Sequence, residues 1–547
     1  MSHMTNLPEH PFRFESRRSP VLSRKGIVAS SQPLASLAGL RILREGGNAA
    51  DAAVGAAAAL AVVEPTSTGI GGDCFCLFYR TDDQSVSAMN GSGRAPAALD
   101  LDVVERCGGW DRQGAHAVTV PGSIMGWHDT VSRFGRMTLA DVLQPAIEIA
   151  EEGFVMTPAI ARGWAGQAEL LAHTGPAGQD LLRDGAAPRA GEVWVNPLIA
   201  RVMREVAEGG PDAFYRGRPA ERIVEALEGH GGVMALSDLA GHCSTFDDAI
   251  STTYRRHRVW ECPPNGQGIT TLMALNILEG FEIDRLEARS PEALHLIIES
   301  LRLAFADARA LVADPAKTDV PIDEMLSKAY AAKRRQLICE DQAIELASSG
   351  FLPGKSDTVY LSTADGEGNA CSFINSNYEG FGSCIVPSQC GFSLQNRGAG
   401  FVVDDPDHPN ALAGGKRPYH TIMPSMITRP DGGLFASYGV MGGWNQPQGQ
   451  TQVVVNLLDR GMDAQTAIDA PRVSMYEEPP NGRIYVEDTF GVEVLARLSE
   501  LGHSVVPASG AIRTGVVGKG QIIYRDPDSG VLWGGSDPRA DGCAVPL

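Results

Sequence analysis

Thr358 and Ser376 are the two side chains whose types and spacing could do chemistry together. Thr358-Val-Tyr-Leu-Ser-Thr-Ala364 alternates as a half-buried strand, Asp365-Gly-Glu-Gly-Asn369 reads as a turn, and Ala370-Cys-Ser-Phe-Ile-Asn-Ser376 alternates again. A hairpin centred on Glu367 sets Thr358 opposite Ser376, and directly paired residues lie roughly 4.5–5.5 Å apart at Cβ. If the bond before Thr358 is broken, the freed α-amine sits beside its own side-chain hydroxyl and can serve as its general base. A threonine hydroxyl is far from ionised at neutral pH, so an amine that accepts its proton and a second hydroxyl that orients the attack address the main obstacle. The same pair also reads as ordinary cross-strand partners.

Attack on an amide needs somewhere for the oxyanion. Leu434-Phe-Ala-Ser-Tyr-Gly-Val440 reads as a strand, followed by Met441-Gly442-Gly443-Trp444 and a helical stretch from about Gln448. Backbone amides at a glycine turn entering a helix point outward at a positive dipole end, which makes Gly442 and Gly443 oxyanion-hole candidates. A Gly-Gly pair is also a common turn.

Several helices must position these groups. Leu37, Leu40 and Leu43 recur at helical spacing until Gly46-Gly47, and Asn48 caps a second helix with Asp51 near its positive end. The alanine-rich run that follows is apolar on every face and predicts a buried central helix. Thr138-Leu-Ala-Asp141 opens another helix, and Ser290-Pro291-Glu292 opens one reaching about Arg309. The run from Cys74 to Tyr79 is strand-like. Beyond Gly354 short alternating runs with Asp-Gly and Gly-Gly punctuation predict hairpins, with helices returning near Gln448–Leu458 and Val492–Leu501. The boundary between the two textures falls near residue 355.

Bulk properties exclude several classes. The 547 residues carry 66 acidic against 46 basic side chains, a net charge of −20, which argues against nucleic acid or an anionic membrane as partner. The most apolar stretch, Ala49 to Val63, is too short to span a bilayer and is closed by Pro65. No signal peptide is visible in the first twenty residues, so a cytoplasmic location is expected. The 10 cysteines are scattered, and the 12 histidines form no His-Glu-x-x-His pattern, so neither a disulfide framework nor a metal is expected, and no cofactor is implied. Gly69-Ile-Gly-Gly72 raises nucleotide chemistry but lacks the Gly-x-Gly-x-x-Gly spacing.

Over nearly its whole length the chain resembles the γ-glutamyltranspeptidase family. The carrying stretches are Gly47-Asn-Ala-Ala-Asp-Ala-Ala-Val54, Glu64-Pro-Thr-Ser-Thr-Gly-Ile-Gly-Gly72, Pro121-Gly-Ser123, Leu143-Gln-Pro-Ala-Ile147, Leu303-Ala-Phe-Ala-Asp307, Asp365 to Ala370, Phe381-Gly-Ser383, Gly442-Gly443 and Ser536-Asp-Pro-Arg539. The resemblance implies an α+β precursor folded as a four-layer αββα sandwich of the N-terminal-nucleophile hydrolase type. It implies self-cleavage between Asp357 and Thr358 into a large subunit, 1–357, and a small subunit, 358–547, that stay paired; a homo-oligomer is left open. Thr358 would then attack a γ-glutamyl or other acyl amide, and water or an amine would accept the acyl group. Ser376 falls where the family has an assisting hydroxyl, and Gly442-Gly443 fall on its oxyanion hole.

The resemblance also marks substrate residues, with departures. Arg94 directly precedes Ala95-Pro96, whereas the family places its carboxylate-clamping arginine two residues before that step. The family's small-subunit Asn position is Tyr378 here with Asn377 beside it, the acidic or amide position is Arg397, and the Asp position is Gly400. The negative charge that would hold an ammonium group is thus expected to be lost, and Arg397 favours an acyl group that bears a carboxylate without an α-amine. The paired serines of the family appear as His420-Thr421, where His420 could tune binding near neutral pH or act as a structural hydrogen-bonding ring. The open alternatives are a non-classical acylase of the glutaryl or cephalosporin type and a catalytically silent relative.

Overall fold

The computed structural model describes residues 18–344, 356–476 and 482–547. The expected boundary near residue 355, and the leader up to residue 17, lie outside the described residues.

Two seven-stranded sheets face each other. One runs, edge to edge, Cys543–Pro546, Gly26–Ser30, Ser356–Asp365, Ala370–Glu379, Asp73–Arg80, Ser85–Gly91, Thr245–Asp248; the other runs Val21–Ser23, Leu532–Ser536, Lys519–Arg525, Leu434–Met441, Ser425–Thr428, His257–Glu261, Ile250–Tyr254. The sheets touch through their central strands, where Ser362 donates a 2.7 Å hydrogen bond to Ser437. The Tyr360 ring packs where Gly439 leaves room, since a Cβ there would stand 2.4 Å from it. Helices cover both outer faces, giving two apolar cores outside the sheets. This is the expected four-layer αββα sandwich. Each sheet draws strands from both sides of Thr358, so the residues before and after it interleave rather than forming separate domains.

The alanine-rich helix, Ala49–Val63, is buried along its whole length and packs on the Ser356–Asp365 and Ala370–Glu379 strands. Asn48 accepts from the amides of Ala50 and Asp51, while Asp51 accepts the Asn48 amide in return, the capping box expected of those residues. Small side chains permit close approach: a Cβ on Gly39 of the preceding helix, Pro33–Arg44, would meet the Ala52 carbonyl at 2.8 Å. The hairpin turn ties into the helix start, because Asp365 accepts the Ala49 amide at 3.1 Å and Thr363 donates to the Ala49 carbonyl at 2.6 Å. The hairpin that begins at Thr358 is thereby fixed to the buried helix. The other expected helices appear as Leu139–Glu152, Pro291–Leu311, Gln446–Leu458 and Val492–Glu500. The portion before residue 355 holds more strand than its sequence predicts, notably Gly26–Ser30, Ser85–Gly91 and the strands from Thr245 to Glu261. Among the described residues no helix is long and apolar enough to cross a membrane.

Candidate active site

The hairpin pairs as its alternation predicts from Ala364↔Ala370 back to Val359↔Asn375, and then slips: Asp357 pairs with Tyr378. Ser376 and Asn377 together face the single residue Thr358, a β-bulge on the second strand. The bulge brings Thr358 Oγ1 and Ser376 Oγ to 3.1 Å in a hydrogen bond, both side chains being buried. Ser376 Oγ also accepts the Tyr378 amide at 2.9 Å, which ties the hydroxyl to the backbone. Tyr378 itself sits at φ +78°, a left-handed conformation that costs a bulky residue of order 1 kcal/mol or more and clusters at functional sites.

Ser376 is the sheet partner of Asp73, which opens the neighbouring strand. Asp73 is fully buried, accepts the Gly93 amide at 3.2 Å, lies 3.1 Å from His420 Nε2 and 3.8 Å from Arg397 Nε. Burial pushes its carboxyl up to about 6, while Arg397 and the amides of Gly93 and Gly122 pull it back down. Arg397 is also fully buried, lies over the Tyr378 ring at 4.4 Å and donates from Nη1 to Thr421 Oγ1 at 2.8 Å. Its Nε and Nη2 have no hydrogen-bond partner, and burial pushes its guanidinium down to about 10.

His420 accepts the Ile422 amide at Nδ1, so its proton is on Nε2 and is donated to Asp73. Burial, followed by the positive charges of Arg397 and Arg417, holds the ring well below its ordinary range. Of the two readings open for His420, this geometry favours the structural one, a neutral, hydrogen-bonding ring.

The glycine turn joins the same cluster through Gln267, whose Nε2 donates to the Thr421 carbonyl at 2.6 Å and to the Gly443 carbonyl at 2.9 Å. Gly442 and Gly443 stand at φ +127° and +57° between the Leu434–Met441 strand and the Gln446–Leu458 helix. A Cβ on Gly442 would lie 3.2 Å from Gly518 Cα. The result is one connected set: Thr358, Ser376, Asp73, Arg397, His420, Thr421, Gln267 and the Gly442–Gly443 turn.

Two candidates sit differently. Asn377 donates its amide to the Ser67 carbonyl at 3.2 Å and its Nδ2 to the Pro65 carbonyl at 3.4 Å, so its side chain braces the Glu64–Gly72 segment. Arg94 is half-buried, and the hydrogen bonds above do not reach it; its charge is felt at His242 and Arg417. Gly400 has no room for a side chain, since a Cβ would stand 2.4 Å from the Tyr419 carbonyl. The Arg397 and Gly400 positions carry no negative charge, and the carboxylate of this set is Asp73, from a different strand. Asp73 and Gln267 are the members that sequence reading missed. The signal for Asp73 was its place between two recognised runs, directly after Gly71-Gly72 and before the strand-like Cys74–Tyr79; Gln267 carries no comparable mark. Asp357 contributes backbone pairing at the expected cleavage bond.

Comparison with known proteins places this geometry. The family model described as Gamma-glutamyltranspeptidase matches residues 35–547. The chain is 39% identical over 529 residues to the glutathione hydrolase-like YwrD proenzyme of Bacillus subtilis (strain 168), covering 96% of this chain and 99% of that one. It is 34% identical over 532 residues to the oxamate amidohydrolase proenzyme of Klebsiella pneumoniae, again with 96% and 99% coverage. The crystal structure of cephalosporin acylase from Bacillus halodurans superposes with a TM-score of 0.91 at 41% identity, covering 99% of both chains. With the sandwich, the bulged hairpin and a match spanning nearly the whole sequence, the chain belongs to the γ-glutamyltranspeptidase family and is an enzyme of the N-terminal-nucleophile hydrolase type.

Proposed function

We propose that this chain is a self-processing N-terminal-threonine amidohydrolase or acyltransferase that cleaves acyl amides whose acyl group carries a carboxylate. The observation that carries the reading is the 3.1 Å contact between Thr358 Oγ1 and Ser376 Oγ at the bulge, linked by hydrogen bonds and sheet pairing to a buried arginine. In the precursor, Thr358 Oγ1 attacks the Asp357 carbonyl, the peptide C–N bond breaks with a proton passing to the Thr358 nitrogen to give the free amine, and water hydrolyses the resulting ester to release the Asp357 carboxyl and restore the Thr358 hydroxyl. That amine then takes the hydroxyl proton as Oγ1 attacks a substrate amide. The amides of Gly442 and Gly443 hold the oxyanion, the leaving amine departs with a proton, and water or an amine accepts the acyl group.

The charges favour an anionic acyl group. Asp73 and Arg397 cancel, His420 is neutral, and Arg397 retains two N–H directions without acceptors. A γ-glutamyl group adds an α-ammonium, for which this set holds no uncommitted carboxylate, since Asp73 is already paired with Arg397 and His420. A glutaryl-type acyl group fits better, and 41% identity to a protein described as a cephalosporin acylase supports the acylase side of the reading. The test is covalent trapping: incubation with a glutaryl-type amide, acid quench and peptide mass mapping. An acyl adduct on the peptide beginning at Thr358 is expected, and an adduct on any other residue would overturn the assignment.

A further inference from the structure

The Pro291–Leu311 helix meets the loop before the Val505–Ala508 strand over a cluster of His295, Glu299 and His503. His295 and Glu299 lie one helical turn apart on one face. All three are buried, at 0%, 0% and 4% exposure, and their ligand-capable atoms lie within 4.8 Å of one another. Arg302 is the neighbouring charge, with Nε 3.7 Å from Glu299 Oε1 and Nη1 committed to the Ile344 carbonyl.

The hydrogen bonds dictate where the protons are. His295 Nε2 is 2.7 Å from the Cys339 carbonyl, which can only accept, so Nε2 carries the proton and Nδ1 is bare. His295 Nδ1 is 2.8 Å from His503 Nε2, so that nitrogen must donate. A neutral imidazole has one N–H, which leaves His503 Nδ1 bare, 3.9 Å from Glu299 Oε1. Neither of these two atoms has a hydrogen-bond partner, while Glu299 Oε2 accepts the Ile344 amide at 2.9 Å. Two buried lone-pair donors thus face each other without a hydrogen bond, and Arg302 Nε, 3.7 Å from Glu299 Oε1, is the neighbouring cation.

We propose that His295, Glu299 and His503 form a binding site for a divalent transition metal of the zinc class, joining a helix that precedes Thr358 to a loop that follows it. Two imidazoles and a carboxylate suit zinc. His295 already donates its outer N–H to a backbone carbonyl, the support that metal-bound histidines usually have. On loading, the metal takes His295 Nδ1, Glu299 Oε1 and His503 Nε2, whose proton moves to the bare His503 Nδ1; the two ligating ring nitrogens must part from 2.8 Å to roughly 3.3 Å for metal–nitrogen bonds of about 2.0–2.1 Å. Any proton on Glu299 is released as the metal binds. The two histidines are 208 positions apart, which hides the set from motif reading. The site is separate from Thr358 and stands whether or not the proposed acyl chemistry does.

The full-length protein, stripped with a chelator and dialysed, would be titrated with ZnCl2 by calorimetry and analysed for metal content, beside His503→Gln and Glu299→Gln. One zinc per chain is expected, with a rise in Tm, and each variant should bind at least about 100-fold more weakly. Cobalt loading of the wild type needs no variant: visible bands of four-coordinate nitrogen and oxygen ligation are expected. Substoichiometric zinc, equal binding by the variants, or thiolate charge-transfer bands from cysteine ligation would each overturn the site.

Discussion

Replacing Arg397 by Met separates charge recognition from chemistry. Arg397 Nε and Nη2 are buried without hydrogen-bond partners, and the only carboxylate paired with the guanidinium among the described residues is Asp73, at 3.8 Å. A substrate carboxylate taking those two N–H groups gains two charge-assisted hydrogen bonds, each worth about 1.5–3 kcal/mol. Desolvation of the incoming carboxylate offsets part of that, leaving a net preference of about 3 kcal/mol, or ~100-fold at 1.36 kcal/mol per decade. The assay compares kcat/KM for a glutaryl anilide and its neutral butyryl counterpart in the wild type and in Arg397→Met. The glutaryl-to-butyryl ratio is expected to fall by ~30- to 100-fold, with butyryl turnover within a few-fold of wild type. Arg397→Lys, which keeps the charge and loses the planar fork, should fall between them. An unchanged ratio in a variant that still processes would refute Arg397 as the acyl-carboxylate partner.

Ser376→Ala removes the hydroxyl 3.1 Å from the nucleophile and should lower kcat roughly 100-fold with KM little changed, together with slower processing; steady-state kinetics on the processed fraction check this. Gly442→Ala forces a side chain into φ +127° and against Gly518 Cα, so oxyanion stabilisation should fall by ~100-fold in kcat. The pH profile should follow Asp73, not His420. As pH falls through about 6, Asp73 protonates, Arg397 loses its counter-charge, and KM for the glutaryl substrate should decrease while the butyryl KM stays level. His420→Gln should keep that inflection and Asp73→Asn should abolish it. The stability signs differ too: the raised Asp73 carboxyl contributes stability that is present below its ordinary pKa of 3.8 and lost as pH rises through about 6. The depressed His420 ring contributes stability that is present above 6.5 and lost as pH falls, seen as opposite slopes of Tm with pH in the two variants.

The hairpin and the buried helix were legible because local patterns carry them, while the sandwich followed from the resemblance to the γ-glutamyltranspeptidase family. Alternation on both sides of a five-residue turn sets the pairing through Val359↔Asn375, and the capping box at Asn48 and Asp51 announces the buried helix. The slip that seats Ser376 and Asn377 together against Thr358 was not legible, because a bulge answers to tertiary closure rather than to alternation. Asp73 was missed for a related reason. Its strand is buried from Asp73 to Tyr79, so it shows no polar face there, and its partner Ser376 becomes a neighbour only once the strand order is known. Strand Gly26–Ser30, buried at every residue, likewise lacks the alternation that marks half-exposed strands. His420 shows the limit of composition: a histidine beside a threonine leaves titration near neutrality and a structural ring both open, and packing against Phe75 and Asp73 favours the neutral ring.

The most direct test is the intact mass of freshly purified protein under denaturing conditions, beside a Thr358→Ala variant, with sequencing of any new amino terminus. Two fragments meeting at Asp357–Thr358 in the wild type and a single uncut chain in the variant are expected of a self-processing threonine nucleophile. One uncut chain in both samples, or a cut in the variant at the same bond, would contradict it.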